Sequence, residues 1–259
     1  MLQADRRNDI LKRLEEHPSV TVKELSSFYG ISEVSVRKLL AQMEEEELLR
    51  RTWGGAVRIT KAAQEFSYKD KTERNRAEKK AIAEVAYSFI KNGETVYIDT
   101  GTTSDELAEK IIAGDKQLIV VTNAFNILGM LREAKHIREI MVGGELRPEI
   151  YSCVGPLALA VLDRIVVDRA FITGDHFSPE HGFSVSMLAD AELKRKVLEI
   201  SRRNYVLMDS SKFGSDSMAI FSKAGDGHTL ITDWKLSPEA EHAMEKAGTH
   251  TICAPQVGE

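Results

Sequence analysis

Val96-Tyr97-Ile98-Asp99-Thr100-Gly101-Thr102-Thr103-Ser104 passes from an apolar run into small and hydroxylated residues, and then into a helical pattern. Branched and aromatic side chains make Thr95–Ile98 a strand, and the apolar spacing beyond it makes a helix near Ser104–Ile112. The same passage recurs down the chain. Strands are expected at Leu118–Val121, Glu139–Val142, Ala170–Thr173, Tyr205–Met208, Thr229–Ile231 and His250–Cys253. Helices are expected near Phe125–Ala134, Pro156–Leu162, Ala189–Arg202 and Pro238–Ala247, and a longer one over Arg76–Ile90. Alternation of this kind predicts an open, mostly parallel α/β sheet covered on both faces.

Upstream the period changes. Ile10, Leu11 and Leu14 recur at helical spacing until His17-Pro18-Ser19 breaks the pattern. A short helix over about 22–29 ends at Gly30, and Ser32 caps a third helix carrying Val36, Leu39, Leu40 and Met43. The stretch 48–59 reads as two short strands about Gly54-Gly55. Three helices and a small hairpin outline an N-terminal winged helix-turn-helix. The division expected is a DNA-binding domain over 1–59, a polar, lysine-rich linker with some helix over 60–76, and an α/β domain over 77–259.

Composition bounds the function. The 259 residues carry a net charge of −5, with 42% hydrophobic and 29% charged residues, as two soluble domains would. The first sixty residues hold ten Lys/Arg and ten acids, four of these being the run Glu44–Glu47. Outside that run the region is basic. No signal-peptide core follows Met1 and no run is long enough for a membrane helix, so a cytoplasmic chain without membrane contact is expected. Two cysteines, Cys153 and Cys253, suggest buried thiols rather than a disulfide framework. The seven histidines show no ligand spacing, so no metal and no cofactor is expected.

Chemistry is expected at two places. On the third helix, Ser32, Ser35, Arg37 and Lys38 fall in the N-terminal half that meets base edges and phosphates. Arg50, Arg51 and Arg58 on the wing suit the backbone or the minor groove. In the α/β half, Gly101 lets the backbone approach a ligand, while Thr102, Thr103, Ser104 and the helix N-terminus offer donors to an anion. Thr122-Asn123, Gly143-Gly144 and Asp209-Ser210-Ser211-Lys212 end other strands, and a parallel sheet gathers such loops at one rim. Asp99, Asp175 and Asp209 can grip sugar hydroxyls. Lys194 and Lys212 can neutralise a phosphate, although a surface role fits Lys194 equally well.

Ile31-Ser32-x-x-Ser35-Val36-Arg37-Lys38-x-Leu40, with Leu48-Leu49-Arg50-Arg51-x-x-Gly54-Gly55-Ala56, resembles the N-terminal motif of the deoxyribose-operon-repressor (DeoR) family. Asp99-x-Gly101-Thr102-Thr103, Thr122-Asn123, Gly143-Gly144, Gly182-Phe183-Ser184, Lys194-Arg195 and Asp209–Gly214 resemble the same family's sensor domain, similar in fold to ribose-5-phosphate isomerase. The resemblance implies a repressor of a sugar or sugar-alcohol catabolic operon. Its partners would be a double-stranded DNA operator, a phosphorylated sugar or sugar-alcohol effector, and further copies of itself in a dimer or tetramer. Departures fall at Ser35, Leu39, Glu47, Trp53, Thr173, His176 and Asp190. Leu39 is expected either to be exposed or to alter base preference, and Thr173 and His176 either to narrow the pocket or to suit a different sugar. The alternative reading is a sugar-phosphate isomerase or hydrolase with an accessory DNA domain, which would need a carboxylate base over the sugar.

Overall fold

The structure, a computed structural model, describes residues 3–16, 19–45, 48–52, 54–57 and 68–256. They fall into two compact units, Met1–Glu65 and Phe66–Glu259. His17, Pro18, Glu47, Trp53, Arg58 and the linker as far as residue 67 lie outside the described residues, as does the side chain of Arg50.

The first unit runs α1 (Gln3–Glu16), β1 (Ser19–Thr21), α2 (Val22–Tyr29), α3 (Glu33–Glu45), β2 (Arg50–Thr52) and β3 (Gly55–Val57). A capping box starts α2: Thr21 Oγ1 accepts from the Glu24 amide at 3.2 Å, and Glu24 Oε2 accepts from the Thr21 amide at 3.0 Å. Gly30 ends it in the left-handed conformation, φ 63°. Ser32 then caps α3, its Oγ accepting from the Ser35 amide at 3.2 Å. Val36, Leu39, Leu40 and Met43 form one stripe of α3 and pack with Ile10, Leu14, Val20 and Leu25. Leu39 is only 4% exposed, which corrects the expectation of an exposed side chain: it serves the core. The wing also holds more than the expected hairpin, because β3 pairs with β1 as well as β2. Gly55 is required there, since a Cβ would stand 1.9 Å from the Val20 carbonyl oxygen.

The second unit opens with α4 (Tyr68–Glu73), inside the stretch expected to be linker, and α5 (Arg76–Phe89). There follow β4 (Thr95–Ile98), α6 (Thr102–Ala113), β5 (Leu118–Thr122), α7 (Phe125–Leu131), β6 (Ile137–Met141), β7 (Glu145–Arg147), β8 (Ser152–Val154), α8 (Pro156–Leu162) and β9 (Arg169–Thr173). Then come β10 (His176–Ser178), β11 (Gly182–Val185), α9 (Leu188–Ile200), β12 (Asn204–Leu207), β13 (Ala219–Ser222), β14 (Thr229–Asp233), α10 (Pro238–Lys246) and β15 (His250–Ala254).

Among the described residues the seven expected strands form one sheet, ordered β15-β14-β12-β9-β4-β5-β6, with every neighbouring pair parallel. Alternation along β4 serves its two faces. Val96 and Ile98 pack with α5 and α6, while Tyr97 packs with residues of α8 and α9. The chain builds outward from β4 through β6 and then returns to place β9 on the other side of β4. That reversal is a topological switch point, where the loops after β4 and β9 diverge and leave a crevice. The short antiparallel pairings β7–β8 and β10–β11–β13 were not foreseen. Both cysteines are free, but only Cys153 is buried. Cys253 is exposed because β15 is an edge strand, which corrects the expectation of two buried thiols. No helix among the described residues is long and apolar enough to cross a membrane.

Candidate nucleic-acid face and anion-binding rim

With one stripe of α3 in the core, the opposite stripe carries Val34, Arg37 and Lys38, all exposed. Arg37 meets Glu33 at 3.4 Å across one helical turn, a solvated pair worth only about 0.5 kcal/mol and easily exchanged for a phosphate or a base. The Ser35 hydroxyl lies 3.0 Å from that of Ser32, so these two serines set the helix start. Arg51 is tied back to α3: its amide donates to Glu44 Oε1 at 2.7 Å and its guanidinium lies 3.9 Å from Glu44. The acidic end of α3 therefore braces the wing. Val34 was missed by sequence reasoning. It is 75% exposed and in phase with Arg37 and Lys38, and an apolar residue out of step with the core stripe was the available signal. Such a side chain can meet a thymine methyl group.

In the second unit the switch point collects the charge. Gly101, at φ 138°, is the N-cap of α6 with no side-chain cap bond, so the first-turn amides lack intrahelical acceptors. Gly101 and Thr102 are half-buried, whereas Thr103 and Ser104 are buried. Ser104 Oγ has no hydrogen-bond partner among the described residues. A Cβ on Gly101 would stand 2.9 Å from Thr173 Oγ1. The Thr173 hydroxyl donates to the Thr100 carbonyl at 2.7 Å and lies 3.2 Å from Asp99 Oδ2, which also accepts from the Thr173 amide at 3.0 Å. Lys194 of α9 completes this knot with a buried ion pair to Asp99. The surface alternative for Lys194 is thereby excluded.

Asp175, just past β9, accepts from the Ser186 amide at 3.1 Å and faces Lys71 Nζ at 3.7 Å. Burial pushes its carboxyl up, but Lys71, Lys212, the Ser186 amide and Lys194 together outweigh burial and hold it below its ordinary value. Asp209 is buried and accepts from Asn75 Nδ2 at 2.8 Å and from the Ser211 amide at 3.1 Å. Lys212 is half-buried beside it. Lys79 is buried and donates to the Lys71 carbonyl. Burial, with Lys212 adding to it, lowers the Lys79 ammonium against the pull of Asp209, Glu106 and Asp105. Arg147 pairs with Asp190, whose carboxyl burial pushes up. His176, lowered by burial, contacts Ser217 Oγ at 2.8 Å.

Two expected contacts serve the interior instead. Thr122 Oγ1 donates to the Ile98 carbonyl at 2.7 Å and accepts from the Ala124 amide at 3.0 Å. Asn123 accepts from the Tyr97 hydroxyl at 2.7 Å and donates to Ser152 at 2.9 Å. Both are fully enclosed with their polar atoms spent, which removes them from the set of direct ligands. Gly144 is a packing glycine, since a Cβ there would stand 2.4 Å from the Val154 carbonyl oxygen. Gly143 borders open space. Sequence reasoning missed Lys71, Asn75, Lys79 and Arg147. For Lys79 a signal existed: it precedes Ile82, Ala83 and Ala86 at the spacing of the buried stripe of α5.

Residues 6–62 match the family described as a DeoR-like helix-turn-helix domain, and residues 74–234 match the DeoR C terminal sensor domain. The chain is 32% identical to a putative aga operon transcriptional repressor of Escherichia coli O157:H7, over 96% of this chain and 93% of that one. It is also 32% identical to the uncharacterized HTH-type transcriptional regulator YulB of Bacillus subtilis, over 98% of each. A ribose 5-phosphate isomerase A from Methanocaldococcus jannaschii is similar over 54% of this chain and 55% of that one, at 18% identity and a TM-score of 0.40.

Proposed function

Because the chain belongs to the DeoR family of transcription regulators, we propose that a phosphorylated sugar or sugar alcohol, bound at the rim between β4 and β9, lowers its grip on an operator. The chain is a DNA-binding regulator, and its relatives are named as regulators rather than enzymes. In the proposed division, 1–59 reads DNA, 77–259 senses the effector, and the intervening stretch transmits between them. Arg37 and Lys38 contact the major groove with Ser35 at the helix start, Ser32 acts as cap, and Arg50, Arg51 and Arg58 hold the flanking backbone. The effector's phosphate sits at the first turn of α6, Gly101–Ser104, with Lys212 as its counter-charge and Lys194 acting through Asp99, while Asp175 and Asp209 take sugar hydroxyls. The target is a sugar or sugar-alcohol catabolic operon, bound by a dimer or tetramer.

One observation carries this reading: Gly101 opens α6 at the switch point with no side-chain cap, and Ser104 Oγ behind it is buried without a partner among the described residues, so donors are left for an anion. The isomerase alternative gains nothing from Asp99, whose Oδ2 already faces Thr173 and Lys194. Ligand-induced change requires only that the effector bind the two DNA-affinity states unequally. The test uses duplexes selected by the chain from a random pool, and thermal shift against a panel of sugar phosphates. Arg37→Ala is expected to weaken DNA binding by about tenfold or more and leave the sugar-phosphate shift intact. Lys212→Ala is expected to do the reverse. If each variant loses both properties, the division of labour is wrong.

A further inference from the structure

Three successive positions at the start of the second unit meet the ends of three adjacent strands. Tyr68 donates to Asp105 Oδ2 at 2.6 Å, behind β4. Lys71 faces Asp175 at 3.7 Å, behind β9, and Asn75 donates to Asp209 at 2.8 Å, behind β12. The strands β4, β9 and β12 are neighbours in that order. Two strand spacings amount to about 10 Å, which the six-residue helix α4 and the two turn residues after it are long enough to span. Residues 68–75 therefore form a strap laid across the carboxyl edge of the sheet, over the switch point itself. Its ends are held firmly. Asn126 Nδ2 donates to Asp105 at 2.7 Å and to the Tyr68 hydroxyl at 3.2 Å, and the Tyr68 ring packs edge-on against Tyr151 at 4.7 Å. Asn75, left-handed at φ 53°, bonds Ser211 as well as Asp209.

Between these ends, Lys71 is the residue that faces the rim. The Lys71–Asp175 contact is the longest of the three, and its two side chains keep 25% and 28% of their exposure. Lys194 is committed to Asp99 deep in the sheet and Lys79 to the Lys71 carbonyl, so Lys71 joins Lys212 as an ammonium able to turn toward a ligand. We propose that Lys71 is a ligand for the effector's phosphate monoester, exchanging the Asp175 carboxylate for a dianion. The strap then forms one wall of the effector site, and its position reports occupancy along the chain toward the DNA-binding unit. Lys79, which donates to the Lys71 carbonyl from beneath, sets the height of that wall. A dianion is the stronger partner for an ammonium, and the exchange frees Asp175 to accept a sugar hydroxyl.

This inference rests on the effector reading of the rim, and the experiment separates the two. The full chain and its Lys71→Gln, Lys71→Arg and Lys69→Gln variants are titrated calorimetrically with ribose 5-phosphate, glucose 6-phosphate, fructose 1-phosphate and inorganic phosphate. Deuterium exchange of residues 68–75 is followed in parallel. For whichever probe binds the natural chain, Lys71→Gln is expected to weaken binding by about tenfold or more, as loss of a charge-assisted bond does. Lys71→Arg should recover much of the loss, Lys69→Gln should match the natural chain, and exchange in the strap should change on binding. Equal binding by Lys71→Gln, with its folding unchanged, overturns the role of Lys71 while the rim remains the effector site. Failure of every probe to bind the natural chain overturns the rim reading and this inference together.

Discussion

Lys194 shows how a single residue decides between readings that sequence leaves open. On α9 its neighbours in sequence are Arg195 and Lys196, which by themselves describe a solvated cationic face. Folding turns Lys194 inward onto Asp99, and both side chains are almost fully enclosed. A buried pair is weak evidence of net stabilisation, but removing one partner strands the other charge. Lys194→Met is therefore expected to lower the stability of the second unit by about 3–5 kcal/mol. Adding Asp99→Asn should recover a substantial part of that loss, because the Thr173 amide and hydroxyl still meet the remaining oxygen. Urea unfolding followed by circular dichroism measures both. A single variant costing under about 1 kcal/mol would contradict the enclosure of the pair. Thr173 was legible as a departure from the family pattern but its work was not, since its hydroxyl joins strand ends more than seventy residues apart in sequence.

Among the elements, those whose signal is local were legible and those whose signal is a contact were not. All seven strands of the parallel sheet were expected within about two residues, because each is an apolar run between turn residues. The strands β7, β8, β10, β11 and β13 have three or four residues apiece and gain their hydrogen bonds from partners brought in by the fold. The strap helix α4 belongs to the second kind. Its sequence is polar, and what orders it is the Tyr68–Asp105–Asn126 cluster on α6 and α7. Burial pushes the Asp105 carboxyl up to about 6 despite its bonds to Tyr68 and Asn126, with Glu106 and Glu109 adding repulsion. In the unfolded chain it titrates near 3.8. The folded state thus holds a proton between about pH 4 and 6 that the unfolded state does not, so this group stabilises increasingly as pH falls through that window and the benefit is lost above pH 6. Asp105→Asn keeps the shape and removes the titration, and a flipped Asn126 amide, whose Oδ1 is buried without a partner, can accept from the new donor. Its melting temperature relative to the natural chain should be higher at pH 7 than at pH 5. A difference that is the same at pH 5, 6 and 7 would show that Asp105 does not sense burial.

At the scale of the whole molecule, charge and apolar surface are distributed unequally. The first sixty residues are balanced in charge, so the −5 excess belongs wholly to the rest of the chain. The net negative charge of the second unit repels the polyanionic DNA backbone, which leaves DNA contact to the first. The second unit carries apolar surface of its own. Leu157 and Val161 lie one turn apart on α8, with Leu157 72% exposed. Leu146 on β7 and Leu188 at the start of α9, 59% exposed, belong to elements packed around α8 through β8. Side chains of this kind, grouped on adjoining elements, suit the contact surface of the proposed assembly. A second copy is the partner that a regulator reading repeated half-sites requires, since one small wing and helix contact too little DNA to specify an operator. The chain is therefore expected to sediment as a dimer or larger assembly at micromolar concentration, and Leu157→Glu with Leu188→Glu to dissociate it. Because both side chains are already exposed, the double variant should keep its secondary structure and its sugar-phosphate shift while losing operator affinity through lost avidity. A natural chain that sediments as a monomer, or a double variant with unchanged mass, would place the assembly surface elsewhere.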